Sequence, residues 1–146
     1  MHDPTPSDPL LARASSVLAA ELADGLVAAF AFGSRAEGRA HRESDLDVGV
    51  LLSRGRFPSE RDRFARRLEI AAHLASALPV PEVDVVVLND APATFARRIV
   101  LDGLQLLCVD AQRVHDFVRD VQLRAADLEP FLRRTRAVKL AAVAPR

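Results

Sequence analysis

The chain has 146 residues, enough for one domain with its own core. Forty-nine per cent of them are apolar and 27% charged, which excludes a wholly disordered chain. Twenty basic and 20 acidic residues cancel to a formal net charge of zero, so neither a broad basic surface nor direct nucleic-acid binding is expected, while a local basic patch stays open.

Residues 1–9 carry Pro4, Pro6 and Pro9 and read as a flexible N-terminal tail. Met1-His2-Asp3-Pro4 lacks the basic-then-apolar form of a signal peptide. No apolar run approaches the ~18 residues of a membrane span. A cytoplasmic protein without membrane contact is therefore expected. A single domain is read over 10–130. Leu10 to Asp24 suits an amphipathic helix rich in Ala, ended by Asp24-Gly25. Leu26 to Phe32 is wholly apolar and reads as a strand buried on both faces. Gly33-Ser34 ends it, and a polar loop with Arg35, Arg39 and Arg42 follows. Asp45 to Leu52 reads as a second strand. Pro58-Ser59-Glu60 opens a long helix in which Phe64, Leu68, Ala71, Ala75 and Leu78 form one apolar stripe. Pro79 and Pro81 stop it. Val83 to Leu88 is a β-branched third strand interrupted by Asp84. Asn89 to Pro92 turns into a helix through about Leu101, which Gly103 ends. Leu104 to Val109 is a fourth short strand. It holds Cys108, the chain's one cysteine, which excludes an internal disulfide and reads as core packing. From Asp110 a helix carries Val114, Phe117, Val118 and Val121 on one side, and this segment is a candidate partner interface. Pro130 interrupts that helix, and 131–146 reads as a partly frayed helical end. The alternation implies an α/β (α+β) domain, with a central mixed sheet of about four strands covered by helices.

The chemistry lies in Gly33-Ser34, ten intervening residues, and Asp45-Leu46-Asp47. Residues two apart in a strand share a face, so Asp45 and Asp47 stand side by side. Like charges that close stay ionised together only beside a cation. Oxygen-only donors suit Mg²⁺, held by one or two carboxylates plus substrate phosphates. Asp84 sits in an apolar strand where an unpaired charge is costly. Should its strand lie beside that of Asp45, the three acids converge. Two metal ions ~3.5–4 Å apart would then clamp an in-line phosphoryl or nucleotidyl displacement. Gly33 lets the backbone approach a phosphate, and Ser34 adds a donor at the start of a helical turn. Arg35, Arg39 and Arg42 are nearby cations for a triphosphate. The structural alternatives are a capping box made by Ser34 and Glu37, and surface strand positions for the two acids. His73 reads as a surface residue, and His41 as a possible ligand contact. His2 and His115 show no metal-ligand spacing.

This pattern resembles the nucleotidyltransferase superfamily of the DNA polymerase β type, whose signature is Gly-Ser, about ten residues, Asp-x-Asp and a later third Asp. The flanks FGSRAEGRAHRESDLDVGVLL and VDVVVLNDAPATFARRIVLDGLQLL are similar to the minimal nucleotidyltransferase branch, the MNT-type antitoxins of HEPN/MNT toxin–antitoxin systems. The likeness runs from about Leu11 to Val121. It implies the nucleotidyltransferase fold and Mg²⁺-dependent transfer of AMP from ATP to a tyrosine of a HEPN-type RNase toxin, which is silenced. It implies metal ligands at Asp45, Asp47 and Asp84, with Asp84 also a candidate base. Gly33 and Ser34 are the implied triphosphate site. Glu37 stands where the family has Arg, so Arg35 or Arg39 is expected to supply the missing charge. The alternatives are a small-molecule nucleotidyltransferase of aminoglycoside type, marked by a second substrate domain, and an antitoxin that acts by binding alone.

Overall fold

The computed structural model describes residues 8–38 and 44–143, with side chains as far as Lys139. Arg39, His41, Arg42, most of the N-terminal tail with His2, and the last three residues lie outside that range. The described elements run α1 (Pro9–Glu21), β1 (Leu26–Phe32), β2 (Leu46–Leu52), α2 (Glu60–Ala77), β3 (Val83–Val87), a 3-10 turn (Leu88–Asp90), α3 (Ala93–Asp102), β4 (Leu104–Cys108) and α4 (Ala111–Val143). The four strands form one mixed sheet, as expected from the sequence, and their order is β3-β2-β1-β4. β1 is antiparallel to β2 and β4, and β2 is parallel to β3.

Local chemistry accounts for most boundaries. The Asp8 carboxylate accepts the Leu10 N–H at 2.8 Å, and Pro9 occupies the first turn, where its missing N–H costs nothing. Pro9 thus opens α1 instead of closing the tail. Ser59 and Asp62 form a reciprocal capping box at the start of α2, at the predicted place. After β3 the Asn89 amide pairs with both backbone groups of Leu52 at 2.9 Å, which fastens the 3-10 turn to the end of β2. Gly103 has φ −76°, an ordinary value. Its need is space: a Cβ there would stand 2.5 Å from the Ile99 carbonyl oxygen and 2.7 Å from that of Ala31.

Strand residues alternate between two cores. Ala29, Ala31, Val48, Val50, Val85 and Val87 face α1 and α2, where Leu11, Leu18, Ile70 and Leu74 are buried. Ala28, Phe30, Leu51 and Val86 face α3 and α4, against Ala96, Ile99 and Val121. β1 is buried on both faces, because two strands flank it and helices cover each side.

Three expectations change. The stripe expected to bury α2 does so only in part: Leu78 is buried and Ala71 packs against the core, but the first two members stay out. Phe64 is 52% and Leu68 54% exposed, and the helix seats itself through Ile70, Leu74 and Arg63. Arg63 is only 4% exposed because it grips Asp90 with two nitrogens (2.9 and 2.8 Å) and donates to the Phe57 carbonyl at 3.0 Å. That charge-assisted fork holds the Arg63 pKa above its ordinary value. The apolar side of α4 around Val114, Phe117 and Val121 covers the protein's own sheet, so it is not a free partner surface. Finally, α4 runs unbroken through Pro130 to Val143. Residues 126–131 are exposed, so water can take the carbonyl that proline leaves without an N–H.

Candidate active site

Strand direction brings the signature residues together. Because β1 and β2 are antiparallel, the end of β1 lies beside the start of β2, and Phe32 pairs with Asp47. Because β2 and β3 are parallel, their starts lie together, and Asp47 pairs with Asp84. Paired strands run about 4.8 Å apart, so Gly33, Asp47 and Asp84 form a row across one end of the sheet. Asp45 precedes β2 by one residue and shares the face of Asp47. These acids lie on the α3/α4 face, at the end where the helices stop covering it: Asp45 and Asp84 are exposed and Asp47 is half-buried. One pleat further along β2, Gly49 lets α3 press onto the sheet; a Cβ there would meet Ile99 at 2.9 Å.

Gly33 meets two demands. Its φ is +75°, and a Cβ would lie 2.5 Å from Oδ2 of Asp47. The chain then closes a single helical turn, with the Glu37 N–H donating to the Gly33 carbonyl at 3.2 Å and that of Gly38 to Arg35 at 3.4 Å. The first N–H groups of such a turn find no carbonyl within it, and Ser34 opens it. A groove of about 290 Å³ runs beside this turn, lined by Phe32, Gly33, Ala36, Glu37, Phe95 and Arg98.

The row is electrostatically crowded. The Asp47 carboxyl is pushed above its ordinary pKa, first by burial and then by the charges of Asp84, Asp45 and Glu82. Among the described residues no three His, Cys, Asp or Glu side chains close a metal site by themselves. An oxygen-only set open on one side fits a hard cation that completes its shell with phosphate oxygens and water.

Other residues take roles that the sequence did not show. Arg35, with a side chain only 8% exposed, donates to the Ser44 carbonyl from Nε (3.2 Å) and Nη2 (2.7 Å) and lies 3.8 Å from Asp8. It joins the turn after Gly33 to Ser44, next to Asp45. Glu82 accepts the Leu46 N–H on its backbone carbonyl at 3.0 Å, which aligns β2 with β3, and its charge presses on Asp47. Arg67 of α2 reaches Oδ1 of Asp84 at 3.8 Å. It also lines a second groove, of about 680 Å³, with Phe64, Val86 and Phe95. His73 lies at the surface with Nε2 2.7 Å from a Glu21 carboxylate oxygen, as expected. Cys108 is half-buried at the end of β4. No helix among the described residues is long and apolar enough to cross a membrane.

Known proteins resemble this chain in sequence and fold. The protein adenylyltransferase MntA of Shewanella oneidensis is 39% identical over 77 residues, 53% of this chain and 50% of that protein, so the match spans half the length of that curated relative. A chain in the crystal structure of a toxin-antitoxin with AMP-PNP matches with a TM-score of 0.66 at 26% identity, over 89% of this chain and 98% of that one. A chain in the crystal structure of the toxin-antitoxin MntA-HepT matches with a TM-score of 0.61 at 25% identity, over 90% and 97%. The model of the family described as polymerase beta, nucleotidyltransferase matches residues 18–112, from the second half of α1 to the start of α4. That match spans more than half of the chain, which belongs to the polymerase beta nucleotidyltransferase family.

Proposed function

We propose that this protein is a Mg²⁺-dependent protein adenylyltransferase acting as an antitoxin in the cytoplasm. It transfers AMP from ATP to a tyrosine hydroxyl of a HEPN-type toxin. The observation that carries the reading is the row Gly33–Asp47–Asp84, which sets a phosphate-receptive turn and a pair of facing carboxylates side by side. The likeness to the adenylyltransferase MntA and to a toxin-antitoxin crystallised with an ATP analogue supports the substrate and the partner.

In this reading the turn after Gly33 receives the triphosphate on its N–H groups and the Ser34 hydroxyl. Asp45, Asp47 and Asp84 would hold Mg²⁺ together with phosphate oxygens, and the metal supplies neutralisation of the charge on the reacting phosphate. Asp84 accepts the proton of the acceptor hydroxyl. The freed oxygen bonds to the α-phosphorus, the bond from that phosphorus to the bridging oxygen breaks, and pyrophosphate leaves. The Gly33 backbone holds the leaving group in line, and orientation of this kind accounts for much of the rate. Arg35 serves by positioning the loop that leads into Asp45. The acceptor belongs to another chain, because this one contains no tyrosine. A phenol with pKa ~10 also yields its proton to a carboxylate more readily than an alkanol does.

The test is incubation of the purified protein with Mg²⁺ and ATP labelled at the α-phosphate, with and without the protein encoded beside it. Label is expected on a tyrosine of that neighbour, and loss by several orders of magnitude in Asp45→Asn/Asp47→Asn. Stoichiometric labelling of this chain alone, on Ser or Thr, overturns the reading. Labelling of an aminoglycoside selects the small-molecule alternative. Full protection from the toxin by the double variant selects an antitoxin that acts by binding.

A further inference from the structure

The geometry points to the groove between α2, α3 and the open edge of β3 as the seat of the acceptor tyrosine and the polypeptide around it. This assignment rests on the adenylyltransferase reading above and extends it to the surface that selects the protein substrate.

In-line displacement places the incoming oxygen and the departing pyrophosphate on opposite sides of the α-phosphorus. The site has a matching axis. Gly33 and its turn follow β1, Asp47 stands on β2 in the middle, and Asp84 stands on β3 at the sheet edge. A pyrophosphate held on the Gly33 side requires an acceptor arriving from the β3 side. The 680 Å³ groove lies there, and Arg67, which reaches Asp84, forms part of its wall. Val86, two residues after Asp84 and on the same face, also lines it.

The lining suits a phenol and its neighbours. Phe64, Val86, Pro92 and Phe95 give an apolar surface, with Arg61 and Arg67 among the polar groups. A guanidinium over an aromatic face adds attraction. The volume exceeds what one tyrosine side chain fills, so adjoining residues of the substrate enter with it. The groove is also built to persist. Arg63 and Asp90 join α2 to the 3-10 turn beneath it, and Phe95 stands edge-on to Phe32 with ring centroids 5.8 Å apart. The same assignment explains why Phe64 stays half-exposed on a helix that already has a buried side. The nucleotide is served by the other groove, on the Gly33 side.

Phe64→Asp and Arg61→Glu change exposed groove residues, of which Phe64 carries the Arg67 guanidinium over its ring at 5.8 Å, and both variants are expected to fold and to melt like wild type. Three quantities are measured: labelling of the neighbour's tyrosine, KM for that protein, and binding of AMP-PNP with Mg²⁺. Phe64→Asp is expected to lower kcat/KM for the protein acceptor about tenfold or more, as loss of an aromatic anchor does, through KM. Arg61→Glu is expected to act in the same direction, and binding of AMP-PNP to remain at wild-type strength in both. If both variants label the neighbour as wild type does, the groove assignment falls and the adenylyltransferase reading stands. If AMP-PNP binding weakens with acceptor KM unchanged, the groove holds nucleotide and the assignment falls. If wild type labels no tyrosine on the neighbour, the functional reading falls and takes this assignment with it.

Discussion

Replacing Gly33 by alanine tests the site at its tightest point. The native φ of +75° costs an L-residue roughly 1–2 kcal/mol. The new methyl would also stand 2.5 Å from Oδ2 of Asp47, closer than nonbonded atoms approach, so the carboxylate must turn away. The backbone term alone predicts a loss of about 1–2 kcal/mol, or roughly 2–8 °C in melting temperature for a domain of this size. Turning the Asp47 carboxylate then harms chemistry out of proportion to stability, since ~1 Å of misplacement can cost ~100-fold in rate. A double-mutant cycle separates the two effects. In an Asp47→Ala background the clash vanishes and only the backbone term remains, so Gly33→Ala should then destabilise less than it does in wild type. Denaturant unfolding of the four proteins, with AMP transfer by wild type and Gly33→Ala, measures both. A Gly33→Ala protein with wild-type stability and transfer rate would refute the argument.

Three further outcomes follow from the geometry. Asp90→Leu leaves the buried Arg63 without its partner and should cost about 3–5 kcal/mol in urea unfolding, with Arg63→Met/Asp90→Leu recovering much of the loss. The Asp47 pKa is raised in the folded state, so the metal-free protein has its full stability below the unfolded pKa and loses this contribution as pH rises through the folded value. Asp47→Asn should therefore be more stable than wild type in chelator at neutral pH, with the difference vanishing on acidification, although transfer is abolished; unfolding curves across pH check the sign. Glu37→Arg reverses a charge in the groove beside Gly33 and should tighten AMP-PNP binding in a salt-sensitive way, read by titration calorimetry at two ionic strengths.

Much of this was legible along the chain because it depends on neighbours in sequence. A seven-residue apolar run is a buried strand wherever it lies, and β1 is flanked and covered on every side. A two-residue spacing puts Asp45 and Asp47 on one face by the pleat alone. Ser59 caps α2 through an acid three residues on, and an acid inside an apolar strand marks Asp84 as a candidate site residue.

What remained hidden depends on pairings between distant segments. No local rule tells that β2 and β3 run parallel with Asp47 opposite Asp84, or that β1 ends beside them, yet that register turns three separated motifs into one row. α2 carries apolar residues on two sides, and periodicity alone cannot say which side the sheet will cover. Of the stripe, Ala71 and Leu78 reach the core, whereas Phe64 and Leu68 stay exposed and packing against β3 takes Ile70 and Leu74. Arg63 could enter the interior because Asp90, 27 residues away, meets it there. Arg35 follows Gly33-Ser34, which suggests a phosphate ligand; the fold adds a bond that spacing cannot show, from its guanidinium to the Ser44 carbonyl. In each case composition and spacing named the chemical group, and its partner was decided by which strand lay beside which.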